Sequence, residues 1–315
     1  MPPAALAALV DLGKTNCRVR VGDAFVSGSG SAGLAERDGL DEALAAIASV
    51  LPPDRSATSA DVLSPAGLAG FAGGVAIGAA GAATVPDRAR ELAHRVARAY
   101  RTRAVVTSDV VTAHAGALGG APGTVLVAGT GAVAVGIDQD GRVRRADGSG
   151  IWLGDDGSGR WIGQQGLRAV LRAHDGRGRE TTLREAATSL TPSPDTLPAV
   201  VGGSAAPERT LASFAPVVLS HAASGDAVAA DIVERAIGHL VETASAASSA
   251  VPAQTVSITG GLVGHDGFAA LLQQALIDEG FLVVDPLGDA LDGAALLLDN
   301  PDLPHERQVS RVDAP

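Results

Sequence analysis

A short segment near the start of the sequence combines residue types that bind phosphate. Asp11, Gly13, Lys14, Thr15 and Asn16 lie within one six-residue stretch, and Lys14 is the only lysine of the sequence. Glycine lets backbone N–H groups approach an anion, lysine adds positive charge, and threonine adds a hydroxyl donor. The spacing is not that of a Walker loop, because no earlier glycine has the required position and no helix is predicted to follow. The segment predicts a phosphate-binding turn, with an ordinary tight turn as the alternative.

Two later glycine turns also follow predicted strands. Gly129, Thr130 and Gly131 form the first, and an ordinary hairpin turn is its alternative. Gly260 and Gly261 form the second, which precedes a predicted helix and could hold the sugar or base of a nucleotide against bare backbone. A strand-to-helix turn without a ligand is the alternative there.

A carboxylate stands at the end of another predicted strand. Asp109 follows the apolar run Ala104 to Ser108 and begins a helix-like run that contains His114. A carboxylate in this position could act as a general base or as a helix N-cap. His114 is interpreted as a structural or solvent-facing histidine rather than a catalytic one.

The most distinctive local pattern is the glycine-rich segment from Gly154 to Gly163. It contains the adjacent carboxylates Asp155 and Asp156 and leads into a predicted helix. The two carboxylates could bind a metal, cap the helix or accept hydrogen bonds from sugar hydroxyls, and a cap is the simplest interpretation of Asp156. The ligand spacing of an EF-hand is missing, which argues against calcium.

The elements around these turns alternate between strands and helices in two similar halves. Each half opens on a β-hairpin with a glycine-rich turn. The hairpin strands are predicted at Ala5 to Asp11, Arg18 to Val26, Thr124 to Ala128 and Ala132 to Asp138. Residues 175–206 are predicted to form a surface excursion, and the tail from Pro301 is predicted to fray. The pattern indicates an α/β chain with an internal duplication and a cleft between two lobes.

Composition excludes several classes of function. The formal net charge of −11 and the pI near 5.0 disfavour binding to nucleic acid or to an anionic membrane surface. The uncharged run from Val62 to Pro86 is mostly Gly and Ala and has too little apolar surface for membrane insertion. Cys17 is the only cysteine, so the chain cannot form an internal disulfide or supply a metal cluster. A cytoplasmic protein is the expectation.

Taken in order, these motifs resemble those of the N-acetylglucosamine kinases. That group belongs to the BadF/BadG/BcrA/BcrD-type ATPase family, which also includes the ATPase activators of benzoyl-CoA reductases and hydroxyacyl-CoA dehydratases. The resemblance implies a two-lobed, duplicated sugar kinase/actin/Hsp70-like (ribonuclease H-like) fold with a central cleft. It implies an N-terminal lobe of residues 1–109, completed by a C-terminal helix at about 288–300. Residues 110–287 would form the C-terminal lobe, which carries the adenosine-binding turn.

The resemblance also implies roles for individual residues. Asp109 would be the general base and Asp11 would hold Mg²⁺ through water. The residues implied to bind ATP are Gly13, Lys14, Thr15, Asn16, Gly129, Thr130, Gly131, Gly260 and Gly261. The residues implied to bind the sugar are Asp109, Thr130, Gly131, Gly150, Asp155 and Ser158. Val133 and Ser149 stand where family members often carry an asparagine and a tryptophan, so two expected sugar contacts are missing.

The activity implied is ATP-dependent phosphorylation of an amino sugar at its 6-hydroxyl, with N-acetylglucosamine as the first candidate. A glucosamine kinase is one alternative. An ATPase activator is a second, although it needs cysteines to hold a cluster at a subunit interface and Cys17 has no partner in its own chain. A non-catalytic sensor of the same fold is a third, and it would be expected to lack Asp109. A homodimer is expected.

Overall fold

Two β-sheets and the helices around them organise the chain. The structure is a computed structural model, and it describes residues 6–53, 71–248 and 254–315. The strands are β1 (Ala7–Leu12), β2 (Asn16–Val21), β3 (Ala24–Ser29), β4 (Gly74–Ala79), β5 (Ala104–Thr107), β6 (Gly123–Ala128), β7 (Ala132–Ile137), β8 (Val143–Asp147), β9 (Thr255–Thr259), β10 (Leu282–Val284) and β11 (Ser310–Val312). The predicted residue Ala5 and the start of the uncharged run, 62–70, lie outside the described residues.

Eleven α-helices lie within the described residues. They are α1 (Gly39–Val50), α2 (Pro86–Tyr100), α3 (Asp109–Ala117), α4 (Gly159–His174), α5 (Leu183–Ala186), α6 (Leu197–Gly202), α7 (Pro207–Ala212), α8 (Ala215–Ala223), α9 (Ala227–Ser248), α10 (Asp266–Asp278) and α11 (Ala290–Asp299). Short 3₁₀ turns add Ala82–Thr84, Ala187–Ser189, Pro194–Thr196, Gly261–Gly264 and Pro304–Gln308. Across these same residues, none of the helices is long and apolar enough to cross a membrane.

The described residues form two compact units, and their sheets repeat one strand order. Unit 1 consists of the described residues within Met1–Pro122, Ile137–Arg142 and Pro286–Pro315, and unit 2 consists of those within Gly123–Gly136 and Val143–Asp285. The sheet of unit 1 has the order β3-β2-β1-β4-β5, with β11 added beyond β5, and the sheet of unit 2 has the order β8-β7-β6-β9-β10. The predicted α/β fold with an internal duplication is therefore confirmed. The predicted lobes, 1–109 with about 288–300 and 110–287, stay a prediction.

Parallel pairing in unit 1 brings several strand ends to one edge of its sheet. β1 pairs with β4 and β4 pairs with β5, all in the parallel direction. The register aligns Asp11 with Gly78 and Gly78 with Thr107, so these residues form one row across the sheet. Every residue of β4 is buried, as expected for a central strand covered on both faces.

Close backbone contact fixes α3 in unit 1. A Cβ atom on Gly78 would lie 2.2 Å from Oγ1 of Thr112 in α3, and a Cβ atom on Gly293 would lie 1.8 Å from the carbonyl oxygen of the same residue. A Cβ atom on Gly116 would lie 1.9 Å from the carbonyl oxygen of Asp289. The missing side chains let α3 pack directly against β4 and α11.

The structure corrects three sequence predictions. The single strand predicted at Arg18 to Val26 is two strands, because Gly22 adopts a φ of 56° and turns the chain between β2 and β3. The tail from Pro301 does not fray, since β11 pairs antiparallel with β5. Residues 175–206 are not only a surface excursion, because Leu183 and Leu197 are part of the core of unit 2.

Candidate active site

The first predicted phosphate turn joins β1 to β2 in unit 1. The N–H of Gly13 donates to the carbonyl of Asn16 at 2.9 Å, which closes the turn. The carbonyl of Thr15 accepts the N–H of Gly30 at 2.9 Å, and the carbonyl of Gly13 accepts the N–H of Ser31 at 3.2 Å. A Cβ atom on Gly30 would lie 2.2 Å from the Gly13 carbonyl, so only glycine allows this contact. The backbone of Gly30 and Ser31 thus holds the turn through two hydrogen bonds. This segment was not anticipated from the sequence.

The side chains of this turn are available to solvent. Lys14, Thr15 and Asn16 are exposed, whereas the neighbouring Cys17 is fully buried in the core of unit 1. Burial, and then the charge of Asp11, raises the pKa of the Cys17 thiol to about 11. The only cysteine of the sequence is therefore neither accessible nor ionised at neutral pH.

Asp11 lies near the end of β1, opposite Arg18 in the antiparallel register. The Arg18 guanidinium donates to Oδ2 of Asp11 at 2.6 and 2.9 Å, and it also reaches Oδ2 of Asp289 at 3.3 Å. The carboxylates beside Arg18 raise its pKa despite its partial burial. Both Arg18 bonds to Asp11 use Oδ2, which leaves Oδ1 as the oxygen that can accept a hydrogen bond from metal-bound water.

This donor set fits Mg²⁺ held through water. Within the described part of the chain there is no group of three or more His, Cys, Asp or Glu that could enclose a metal ion. Mg²⁺ commonly keeps several waters and uses one or two carboxylates together with substrate phosphates, so a single carboxylate is sufficient. Asp11 meets that requirement.

Asp109 is the first residue of α3 and follows β5. The N-cap of this helix is Ser108, whose hydroxyl accepts the N–H of Val111 at 3.3 Å. Oδ1 of Asp109 accepts the adjacent Val110 N–H at 2.9 Å, and the side chain is only partly buried. Asp109 is therefore not the N-cap of α3, because the preceding residue, Ser108, occupies that position. The interpretation of Asp109 as a base stays a prediction.

Asp11 and Asp109 share one edge of the sheet in unit 1. Asp11 lies in β1 and Asp109 follows β5, and these parallel strands are separated by β4. Neighbouring strands lie about 4.8 Å apart, so the ends of β1 and β5 are about 10 Å apart. His114, five residues after Asp109, is fully buried and contacts His305, which makes it structural rather than solvent-facing.

Three predicted segments converge in unit 2. A Cβ atom on Gly129 would lie 3.6 Å from the N atom of Gly261, so these two turns face each other. The carbonyl of Gly129 accepts the N–H of Gly159 at 2.8 Å, and the carbonyl of Thr130 accepts the N–H of Arg160 at 3.1 Å. The 129–131 turn, the 260–261 turn and the start of α4 therefore form one backbone cluster.

Glycine is required at position 260, in the 260–261 turn. Gly260 has a φ of 106°, and a Cβ atom there would lie 2.5 Å from the carbonyl oxygen of Ala128. Thr130, Gly260 and Gly261 are exposed, so a ligand can approach their backbone. The predicted approach of a nucleotide to this backbone stays a prediction.

Asp155 is directed at the second turn. Its Oδ1 accepts the N–H of Ala132 at 3.2 Å, and a Cβ atom on Gly131 would lie 3.1 Å from that same oxygen. Burial raises the pKa of Asp155, and the charge of Asp147 raises it further, whereas the Ala132 N–H and the charge of Arg160 lower it. Asp155 also has a φ of 57°, an uncommon conformation that neighbouring contacts must support.

The other predicted sugar residues lie around the same loop. Gly150 is partly exposed with no atom near the position of its missing side chain, and Ser149 is exposed. Ser158 is fully buried, and its hydroxyl accepts the N–H of Trp161 as the N-cap of α4. In the structure Ser158 supports the loop, and its contact with a sugar stays a prediction. Val133 lies in β7 beside Gly148.

Two residues that flank this loop were not anticipated from the sequence, Asp147 at the end of β8 and Arg160 at the start of α4. Asp147 accepts backbone N–H groups from three positions, and Arg160 is a buried arginine that donates to the carbonyls of Gly154 and Asp155. Nε of Arg160 has no hydrogen-bond partner among the described residues. A signal was present, since an aspartate before several glycines favours side-chain to backbone bonding, but it did not indicate which amides would be bound.

A family model decides the relationship of this chain to known proteins. The model of the BadF/BadG/BcrA/BcrD ATPase family matches residues 10–297. The chain belongs to this family. The match includes all the predicted site residues, and it begins one residue before Asp11.

Solved structures agree with the fold. A structure from Chromobacterium violaceum, described as a candidate N-acetylglucosamine kinase, is 27% identical, with a TM-score of 0.67 and coverage of 95% of this chain and 100% of that chain. A ROK family glucokinase from Streptomyces griseus, in complex with glucose and AMPPNP, is 18% identical with a TM-score of 0.50, and covers 93% of this chain and 98% of its own. The second likeness shows the fold alone, which is that of the sugar kinases.

One curated relative is similar over part of its length. The N-acetylmuramic acid/N-acetylglucosamine kinase of Clostridium acetobutylicum is 27% identical over 168 residues, which are 53% of this chain and 55% of that protein. This chain thus spans about half the length of the curated relative that it matches.

Proposed function

We propose that this protein is an ATP-dependent amino-sugar kinase that phosphorylates the 6-hydroxyl. N-acetylglucosamine, converted to its 6-phosphate, is the first candidate substrate. The observation that carries the proposal is the backbone cluster of unit 2, where Gly129 faces Gly261 and Asp155 contacts the turn of Gly131. The turn proposed to bind the nucleotide, at Gly260 and Gly261, and the carboxylate proposed to bind sugar hydroxyls, that of Asp155, both lie beside the 129–131 turn. The similarity to the C. violaceum structure supports the same function.

In this mechanism Asp109 accepts the proton of the 6-hydroxyl. The oxygen then bonds to the γ-phosphorus of ATP while the bond from that phosphorus to ADP breaks. The glycine turns and Lys14 bind phosphate, and Asp155 with the loop at Gly150 orients the sugar. Asp11 would hold Mg²⁺ through water, and the bound ion would neutralise phosphate charge.

Glucosamine is the second candidate substrate. Val133 and Ser149 stand where the family resemblance implies an asparagine and a tryptophan that contact the sugar, so two expected sugar contacts are missing from this chain. The name of the Clostridium acetobutylicum relative adds N-acetylmuramic acid to the sugars worth testing. An ATPase activator is disfavoured, because the only cysteine is buried in the core of unit 1.

A coupled ADP-release assay tests the proposal. Glucose, glucosamine, N-acetylglucosamine, N-acetylmannosamine and N-acetylmuramic acid should be compared at equal concentration, with and without Mg²⁺. We expect amino-sugar-dependent ADP release that needs Mg²⁺ and disappears with 6-deoxy-N-acetylglucosamine. ADP release that is equal with and without every sugar would show that the protein is not a sugar kinase.

Val133→Asn tests the choice between the two amino sugars. We expect it to improve the use of N-acetylglucosamine relative to glucosamine, because it restores a polar side chain beside the loop. An unchanged preference would remove Val133 from the sugar site. The homodimer and the cytoplasmic location stay predictions, and light scattering of the purified protein tests the first.

A further inference from the structure

We propose that Asp147 and Arg160 are positioning residues that hold the Asp155 peptide from opposite sides and thereby orient the Asp155 carboxylate toward the sugar. The inference rests on the proposed function, because it concerns the sugar side of the same site. Neither residue is among the predicted ligands, and both lie in unit 2 with the loop that they hold.

Asp147 holds the N–H side of the loop. Its Oδ1 accepts the N–H of Asp155 at 2.7 Å and that of Ser149 at 3.3 Å, and its Oδ2 accepts the N–H of Asp156 at 2.9 Å. A Cβ atom on Gly154 would lie 2.2 Å from Oδ1 of Asp147, so glycine is needed for this approach. One carboxylate thereby fixes both peptide N–H groups on either side of the Asp155 Cα atom.

Arg160 holds the carbonyl side. Its side chain is almost fully buried, and its guanidinium donates to the carbonyl of Gly154, to the carbonyl of Asp155 at 3.4 Å and to Oε1 of Gln164 at 3.0 Å. Burying a guanidinium is unfavourable unless it forms hydrogen bonds. A buried arginine that donates to two loop carbonyls therefore indicates that a specific conformation of this loop is stabilised.

The conformation of Asp155 explains why it needs holding from both sides. A φ of 57° costs free energy for a residue other than glycine and persists only when its surroundings impose it. Asp147 binds the N–H of this residue and Arg160 binds its carbonyl, while Oδ1 of Asp155 contacts the N–H of Ala132. A released loop would let φ return to negative values and would turn the carboxylate away from the second turn.

Hydrogen exchange tests the hold directly. In wild-type protein we expect slow exchange at the amides of Asp155 and Asp156. Asp147→Asn is the suitable variant, because asparagine tolerates the φ of 58° at this position but lacks one acceptor oxygen. We expect faster exchange in peptides that span residues 148–158, and no such change in Asp175→Asn, a matched surface control whose carboxylate pairs with Arg177. Unchanged exchange in Asp147→Asn would overturn the inference.

Kinetics separate positioning from mere stability. Asp147→Asn and Arg160→Lys should each lower kcat/KM for the sugar, on the order of 10²-fold for a displacement near 1 Å, and leave KM for ATP unchanged. In an Asp155→Ala background, Asp147→Asn should cause little further loss, because its effect passes through Asp155. The inference would be overturned if Asp147→Asn lowered kcat/KM for the sugar by the same factor in both backgrounds. It would also be overturned if KM for ATP rose by as large a factor as kcat/KM for the sugar fell.

The two failures are distinguishable. If wild-type protein phosphorylates none of the sugars, the proposed function is wrong, and the exchange rates still decide whether Asp147 holds the loop. If the sugar is phosphorylated and the exchange rates do not change, the function stands and the positioning role is wrong.

Discussion

Ser108 and Asp109 are adjacent residues with different tasks at the start of α3. The Ser108 hydroxyl occupies the capping position, and the Asp109 carboxylate accepts the N–H of the neighbouring Val110. Because the two tasks belong to different side chains, each can be removed separately. This separation makes the proposed base testable without confusing it with helix stability.

Asp109→Asn should abolish most of the turnover and little of the stability. Asparagine cannot accept the proton, so kcat should fall on the order of 10² to 10⁴-fold, while the unfolding free energy should change by less than about 1 kcal/mol. Steady-state kinetics and thermal unfolding measure the two quantities. Ser108→Ala is the control, and it should lose about 1 kcal/mol of stability with the carboxylate still present. Turnover close to wild type in Asp109→Asn would show that another group accepts the proton.

Lys14 can be tested by chemistry as well as by substitution. It is exposed and is the only lysine, so an amine-modifying reagent has one side chain and the α-amino group to react with. We expect Mg-ATP to protect the side chain, with the α-amino group as the internal reference, as measured by mass spectrometry. Equal labelling with and without nucleotide would place Lys14 away from the phosphates.

The corresponding substitution predicts a binding defect. A charged hydrogen bond contributes about 1.5 to 3 kcal/mol, so Lys14→Ala should raise KM for ATP by about tenfold or more. Its thermal unfolding should match that of wild type, because the side chain is exposed. Arg90→Ala, which removes a surface ion pair with Asp87, is the matched control and should change neither quantity.

At the scale of elements, packing of α3 on β4 sets the position of Asp109. Gly78 permits this packing, since any side chain there would collide with Thr112. The helix bears Asp109 on its first turn, and Oγ1 of Thr112 donates to the carbonyl of Asp109 at 2.9 Å. A change in β4 is therefore expected to displace Asp109, the proposed base, without direct contact.

Gly78→Ala should weaken both stability and turnover. Overpacking costs about 1 to 3 kcal/mol, and displacing α3 by about 1 Å should lower turnover on the order of 10²-fold. Urea unfolding and kcat measure the effects. Gly238→Ala in α9 is the control, because nothing lies within 4 Å of the added atom. Adding Thr112→Ala to Gly78→Ala should restore part of the loss, and a Gly78→Ala variant that is fully active would contradict this account.

At the scale of the whole molecule, the C-terminal segment closes the sheet of unit 1. β11 pairs with the outer side of β5, and Arg311 donates to the carbonyls of Leu297 and Leu298 at the end of α11. His305 is fully buried, with its Nε2 atom 2.8 Å from Nδ1 of His114. Nδ1 of His305 has no partner in the part of the chain that the structure describes, so the tautomer with the proton on Nε2 leaves no N–H of that ring unpaired.

This histidine pair predicts an acid-sensitive stability. Burial, and then the charge of His114, lowers the pKa of His305 to about 3 from its ordinary value of 6.5. The unfolded chain therefore binds a proton that the folded chain does not, and stability falls as the pH drops from about 6.5 toward 3, by up to about 1.4 kcal/mol per pH unit.

His305→Gln should flatten this dependence, because glutamine keeps a donor and an acceptor but does not titrate. Urea unfolding of unit 1 can be followed by reaction of Cys17 with a dithiodipyridine reagent, since this buried thiol is the only one in the sequence. The difference between wild type and variant should shrink as the pH falls below 6.5. Parallel curves for the two proteins would show that His305 does not titrate on unfolding.

The sequence by itself determined the turns, most of the strands and helices, and the duplicated α/β fold. These features follow from local chemistry: glycine permits the tight turns, and apolar periodicity distinguishes strands from helices. Tertiary structure alone decided the rest. Serine and aspartate are both good N-caps, so Ser108 could not be separated from Asp109 before the helix was seen. His114 and His305 are 191 residues apart in the sequence, so only the folded chain shows that they contact each other. Asp147 and Arg160 gained their roles because folding directs their side chains at one peptide, and no local preference specifies that convergence.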